Sequence, residues 1–172
     1  MLRKMLVTII LTLAGMALLW LMIWSATVTM PTKLLAKNFP EDVQEALKPR
    51  LDALPMSGKR VFGMIILIVL LMGFCALFII GGIDGMNNSF TFPDYLIRFL
   101  IMSYGVKAFD IIGLDFFLLT KTHFFQHYFP ETEGCAGWQQ FGYNRKQQLR
   151  QIIIMGLLSP LEALLFLYLA GG

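Results

Sequence analysis

Charge is what this sequence has least of. Only 15% of its 172 residues are Asp, Glu, Lys or Arg, against 57% hydrophobic. Soluble domains carry about a quarter charged residues, so an ordinary water-soluble domain is excluded. Cysteine is also scarce. Cys75 lies in an apolar run and Cys135 in a polar one, no C-x-x-C occurs, and the two are not expected to bridge. A disulfide scaffold is therefore excluded. The net charge of +3 comes without a basic block, an RNA-binding signature or a helix-turn-helix pattern. Nucleic acid is accordingly not an expected partner. No internal repeat is visible.

What the chain has instead is long apolar runs. Four of them, at about 5–30, 61–83, 95–120 and 152–170, are each long enough for a bilayer core of roughly 30 Å. The expected fold is all-α: one integral membrane domain over 1–172, a bundle of four transmembrane helices. The bilayer is its first partner. The first run follows Arg3-Lys4, is too long for a secretory h-region and lacks a good cleavage site near Trp24-Ser25-Ala26-Thr27, so it reads as an uncleaved span. Trp20 and Trp24 suit its far interface.

A short amphipathic helix is expected between the first and second spans. Pro40, Glu41 and Asp42 suit a helix start. Val43, Leu47, Leu51 and Leu54 recur at spacings of three or four, and Pro49 is expected to break or kink the segment. Two placements are open: in the headgroup plane, or covering the end of the bundle. Gly81-Gly82 closes the second span, and Asp84 to Phe92 reads as a tight turn. Thr91, Pro93 and Asp94 then open the third helix with a capping box. That helix is expected to extend to about Phe129, where Pro130 stops it. At 1.5 Å per residue it would be roughly 50 Å long, so its last turns must leave the hydrocarbon, tilt or bend.

Basic residues set the topology. Ten fall in the first and third connections: Lys33, Lys37, Lys48, Arg50, Lys59, Arg60, Lys121, Arg145, Lys146 and Arg150. Three fall on the other side: Arg3, Lys4 and Arg98. The positive-inside bias puts 31–60 and 121–150 in the cytoplasm and both termini outside. Arg3-Lys4 pulls the other way.

The third run carries the chemistry, because ionisable groups in hydrocarbon are costly and often mark function. With Lys107 as zero on an α-helix, Asp110 falls near about −60° and Asp115 near about +80°. Ser103 and Tyr104 fall inside the same sector of roughly 140°. Lys107 and Asp110 are three apart and can pair; Asp115 needs another partner. The group reads either as a polar ligand, ion or proton site, or as a neutralised structural pair beside a protonated acid. In the fourth span, Ser159-Pro160 frees a backbone carbonyl, and Glu162 is the only charge. If Glu162 faces the third helix, it joins the Lys107 cluster.

His123 and His127 form an H-x-x-x-H pair, which on a helix puts two imidazoles on one face. Membrane hydroxylases and desaturases use such boxes but need far more histidines than these two. A single divalent metal, zinc or iron, is the one cofactor the residues admit. It would need Asp115, Glu131, Glu133 or Cys135 as further ligands. No cofactor is favoured, and two interfacial histidines are the expected reading. The loop PETEGCAGWQQFGYN reads either as a re-entrant flap over the cluster or as an ordinary interfacial loop; Trp138, Phe141 and Tyr143 suit the interface.

Asp110-x4-Asp115 followed by Pro130-Glu131-Thr132-Glu133-Gly134 and a glycine- and aromatic-rich loop resembles a group of small uncharacterised bacterial multi-pass membrane proteins. The likeness covers about the last 70 residues. It implies a bacterial origin and that the aspartates and the PETEG loop belong together, and it supplies no mechanism.

Together these features lead to a bacterial inner-membrane protein with a buried polar site on its third and fourth helices, formed by Tyr104, Lys107, Asp110, Asp115 and Glu162. The site would bind a polar or amphipathic ligand, or move an ion or proton. Four spans are few for a solitary transporter, so an oligomer or a larger membrane complex is expected. Two alternatives stand beside it. One is an interfacial enzyme on a lipid or isoprenoid headgroup using Asp115, His123, His127 and Glu131 or Glu133. The other is a structural partner protein. The topology is directly testable. A cysteine placed near residue 172 should react with a membrane-impermeant thiol reagent in intact cells; reaction only after permeabilisation would reverse the orientation.

Overall fold

Long apolar runs offer the backbone few competing hydrogen-bond partners, and the threonines of the first run donate back to carbonyls four residues earlier, so these runs become long helices. The computed structural model describes residues 2–29, 33–53 and 58–171. Helices α1 (Leu2–Thr29), α2 (Lys33–Ala36), α3 (Glu41–Ala53), α4 (Gly58–Asn87) and α5 (Phe92–Phe109) come first. α5 runs directly into a π-helical segment, Asp110–Leu119. α6 (Phe124–Tyr128), two 3₁₀ turns (Pro130–Thr132 and Ala136–Gln139) and α7 (Arg145–Leu169) complete the chain.

Three helices are long and apolar enough to cross a membrane: Leu2–Thr29, Arg60–Asn87 and Arg145–Leu169. Each turns large apolar side chains outward, for example Ile10 and Leu13 on α1, Val69 and Met72 on α4, and Leu157 and Leu161 on α7. α5 is the opposite kind of helix. It packs against all three of the others and buries Tyr95, Arg98, Phe99, Met102, Ser103, Val106 and Lys107. The helix that buries Arg98 and Lys107 thus packs against all three apolar ones, with Ile97 and Tyr104 left on its exposed side.

Small residues let these helices approach, as is common where helices pack in lipid. Gly15 faces Val106 and Gly105 faces Thr12, so α1 and α5 run parallel. Gly73 faces Leu18 and Gly81 faces Leu11, so α4 runs against α1. Gly82 seats the ring of Phe166, and Gly85 that of Tyr95. α7 is antiparallel to α5: Phe166 lies by Tyr95 and Phe99, while Lys107 reaches Gln151. Both chain ends and the 88–91 turn therefore share one end of the molecule. The segments 33–53 and 122–144 share the other.

Those two segments build a lobe with its own core. Phe39, Val43, Leu47, Phe125, Phe129 and Trp138 are buried together with Leu114, Leu118 and Leu119 of the π segment. Phe39 meets Phe125 and Trp138 edge-on, each at 5.0 Å, and Trp138 stacks on Phe125 at 5.4 Å. Arg50 bonds Glu131 at 3.0 Å, and the Gly137 N–H bonds Asp42 at 2.8 Å. The apolar face of α3 packs against protein, covering the bundle end. Leu54 of its expected stripe lies outside the described residues.

Several boundaries differ from those expected. The third helix does not run on to Phe129. The Thr122 hydroxyl donates to the Leu118 carbonyl at 2.6 Å and accepts the Phe124 N–H at 3.3 Å. The chain turns there, and α6 swings Phe125 and Phe129 into the lobe core, so aromatic packing overrides helix continuation. Pro130 does close α6, at Tyr128. α4 continues through Gly81-Gly82 to Asn87, because the glycines meet side chains of α1, α5 and α7 rather than a turn. α3 continues through Pro49, and α7 through Pro160, each losing a single N–H. α7 begins at Arg145, earlier than the apolar run alone indicates. The capping box stands: Asp94 Oδ2 accepts the Thr91 N–H at 3.1 Å and the Thr91 hydroxyl at 3.0 Å.

Gly82→Leu should force the Phe166 ring aside. Overpacking of this kind costs about 1–3 kcal/mol. The melting temperature in detergent should fall measurably, while Gly58→Ala, with nothing within 4 Å of an added methyl, should melt like the wild type.

Candidate functional site

Two polar centres lie along α5 and its π extension. The first surrounds Arg98, whose side chain is 1% exposed. Its Nε donates to the Thr8 hydroxyl at 3.1 Å, and its Nη1 to the Gly81 carbonyl at 2.6 Å and to Asp84 at 2.8 Å. Its Nη2 donates to the Lys4 carbonyl at 3.3 Å, and the guanidinium lies 4.3 Å from the Phe90 ring centroid. Lys4 in turn pairs with Asp94 at 2.8 Å. Nε and both terminal nitrogens are engaged. The charge is balanced, so this centre ties α1, α4 and α5 together. It was legible only as an arginine inside an apolar run, and its acid, Asp84, sits in a helix where a turn is expected.

The second centre lies between the π segment and α7. Lys107 Nζ is 2.7 Å from Asp110 Oδ2 and also bonds Gln151 Oε1. The Lys107 side chain is 3% exposed and that of Asp110 27%. Asp115 is half-buried. Its Oδ2 accepts from Asn144 Nδ2 at 2.9 Å and from Gln148 Nε2. Among the described residues, no cationic side chain stands within ion-pair distance of Asp115. Asn144, Gln148 and Gln151 are four and three residues apart, one face of α7. Asp115 is eight residues, about two helical turns, beyond Lys107, and it meets the amides of Asn144 and Gln148 instead of the ammonium.

The carboxylates border a cavity of about 210 Å³. Asp110, Asp115, Asn144, Gln148 and Gln151 form its polar side, and Ile23, Phe39, Leu114 and Phe125 its apolar side. Tyr143 closes one edge, donating its hydroxyl to the Asn38 carbonyl. Burial pushes this hydroxyl well above the usual phenol range, and the charges of Asp115 and Asp110 add to the shift. Tyr143 therefore stays a donor at any ordinary pH.

The other expected site residues lie elsewhere. Tyr104 reaches the Ile152 carbonyl at 3.2 Å but is 37% exposed on the flank of the bundle. Glu162 does not join the Lys107 cluster. It is eleven residues beyond Gln151, roughly 16 Å along α7, and its buried Oε2 has no hydrogen-bond partner. His123 is the N-cap of α6 and His127 lies within it, its N–H bonded to the His123 carbonyl at 3.0 Å, and both are exposed. His123, Glu133 and Cys135 line a separate cavity of about 460 Å³. Among the described residues, no group of three or more His, Cys, Asp and Glu stands close enough to hold a metal.

The PETEG segment is a packing device. Pro130 opens a 3₁₀ turn, Thr132 is fully buried and accepts the Trp138 indole N–H at 3.1 Å, and Gly134 has φ +90°. Glu131 is held by Arg50. The Cys135 thiol is pushed up by burial and by the Asp42 charge. The loop that follows reaches the cavity only through Tyr143 and Asn144. The amide stripe was missed because Asn144, Gln148 and Gln151 look like part of an ordinary polar loop; their i, i+4, i+7 spacing was the signal available.

The unequal burial of Lys107 and Asp110 orders their variants. Asp110→Leu strands a buried ammonium and should cost roughly 3–5 kcal/mol. Lys107→Met strands a partly exposed carboxylate and should cost less. The double variant should recover much of either loss, read as melting temperature in detergent. Equal losses, or no recovery, would mean that the pair is not what holds this region.

The chain matches no protein-family model, no curated protein and no solved structure.

Proposed function

We propose that this is a bacterial inner-membrane protein that binds a polar or amphipathic ligand, or moves an ion or proton, at the cavity between the π segment and α7. In this reading α5 and the π segment are a fourth span, packed against the three apolar helices and turning Ile97, Ile112 and Phe117 to lipid. The segments 31–60 and 121–150 are cytoplasmic. Their ten basic residues lie toward one end, and at the other end Lys4 and Arg98 are each paired with an acid. Association with copies of itself or with a larger membrane complex belongs to the same reading.

One observation carries it. Asp115 is a carboxylate at a cavity wall with amide donors and, among the described residues, no cation within ion-pair distance, in a setting where unbalanced charge is costly. A structural pair needs one acid for Lys107, and Asp110 already fills that role. The Arg98 centre, with its charge balanced and its nitrogens engaged, is what a structural cluster in this fold looks like.

Two measurements on the full chain test the reading: flux into liposomes under an imposed pH or ion gradient, and thermal stabilisation in detergent by a panel of polar and amphipathic compounds. The wild type should respond in at least one. Asp115→Asn should reduce that response tenfold or more, with its helical circular dichroism unchanged. No response in either assay, or a full response in Asp115→Asn, would sink the reading.

A further inference from the structure

The hydrogen bonds around Asp115 also say what kind of ligand the cavity accepts. A carboxamide has a donor end and an acceptor end, whereas a carboxylate only accepts. Asn144 and Gln148 both turn their NH₂ groups to Asp115 Oδ2. Their carbonyl oxygens must then point elsewhere, and Gln148 Oε1 is buried without a partner. Asp115 Oδ1 accepts no hydrogen bond among the described residues. Asp115 Oδ1 and Gln148 Oε1 are thus oxygen acceptors with no donor among the described residues.

Charge counting narrows the class. With Asp115 ionised, Lys107 contributes +1, Asp110 −1 and Asp115 −1, leaving a net −1. An anion would be repelled. A neutral donor would satisfy the oxygens but leave the charge. A divalent cation would overshoot the charge and sit beside the buried ammonium of Lys107. A single positive charge balances the site. The cavity of about 210 Å³ is several times the volume share of one water, roughly 30 Å³. A partly hydrated ion fits, and so does an ammonium with a short alkyl group against Leu114 and Phe39. The cavity shares Tyr143, Asn144 and Gln147 with a wider polar depression on the lobe, so a ligand can arrive from that end without passing through the bundle.

We propose that the ligand of this site is a small monovalent cation, an alkali metal ion or a protonated primary amine, coordinated by Asp115 and the free oxygen of Gln148. This rests on the cavity being a binding site, as proposed above, and adds the ligand class.

The experiment is thermal unfolding of the full-length protein in detergent, followed by tryptophan fluorescence. N-methylglucamine chloride is replaced at constant ionic strength by sodium, potassium or methylammonium chloride. At least one of the three should raise the melting temperature saturably by several degrees, as a ligand that binds only the folded state does. The alkali and methylammonium arms separate ion from amine. Asp115→Asn should abolish the rise. Gln148→Met, which keeps the side-chain length, should raise the half-saturating concentration about tenfold. If Asp115→Asn does not fold, the wild-type titration and Gln148→Met decide the matter. The proposal falls if none of the three cations acts beyond N-methylglucamine. It also falls if the rise survives Asp115→Asn, or if calcium saturates at lower concentration with a larger effect. A wild type that ignores these cations but conducts protons, or is stabilised by a neutral or anionic compound, overturns the cation assignment alone. A wild type that responds to nothing overturns the proposed function with it.

Discussion

An ionisable group among apolar helices must find a partner within the protein, because lipid tails and leucine side chains offer none. That constraint organises this molecule. Lys107 and Arg98 are placed on α5, and Asp110 and Asp115 on its π extension, while α1, α4 and α7 present apolar side chains outward. The polar helix therefore goes to the middle. Each neighbour supplies what α5 lacks: Thr8 and the Lys4 carbonyl from α1, Asp84 and the Gly81 carbonyl from α4, and the amide stripe from α7. Glycines at 15, 81, 82, 85 and 105 let the helices come close enough for those bonds to form.

The two centres meet the constraint differently. Around Arg98 the positive charge is matched by Asp84 and the guanidinium nitrogens are engaged, so the cluster gains nothing by admitting a ligand. Around Asp115 the partners are neutral amides. They stabilise the carboxylate by hydrogen bonding but leave its charge and their own carbonyl oxygens unmatched. This difference in completeness, rather than the number of charges, separates a clamp from a candidate site.

The lobe is coupled to the site through the π segment. Leu114, Leu118 and Leu119 pack into the core of Phe39, Phe125, Phe129 and Trp138, while Asp110 and Asp115 on the same segment face the cavity. A π winding, with its wider turn, lets one stretch serve both surfaces. Thr122 ends the helix at the point where the aromatic residues must turn back. The PETEG segment holds that return through Thr132, Trp138 and the Arg50–Glu131 pair. Its acids therefore serve the lobe and not the cavity.

The sequence by itself determined the all-helical class, the three apolar membrane-length helices, the capping box at Thr91–Asp94 and the Lys107–Asp110 pair. All of these are local: run length, a four-residue motif, and a spacing of three on a helix. The same local logic marked Asp115 as needing a partner. Only the tertiary structure decided who that partner is, because Asn144 and Gln148 lie 29 and 33 residues further along the chain. It likewise decided that Glu162 lies far from Lys107, and that Arg98 meets Asp84 through a helix continued past two glycines. Each of these depends on contacts between segments distant in sequence, where packing energy outweighs local preference.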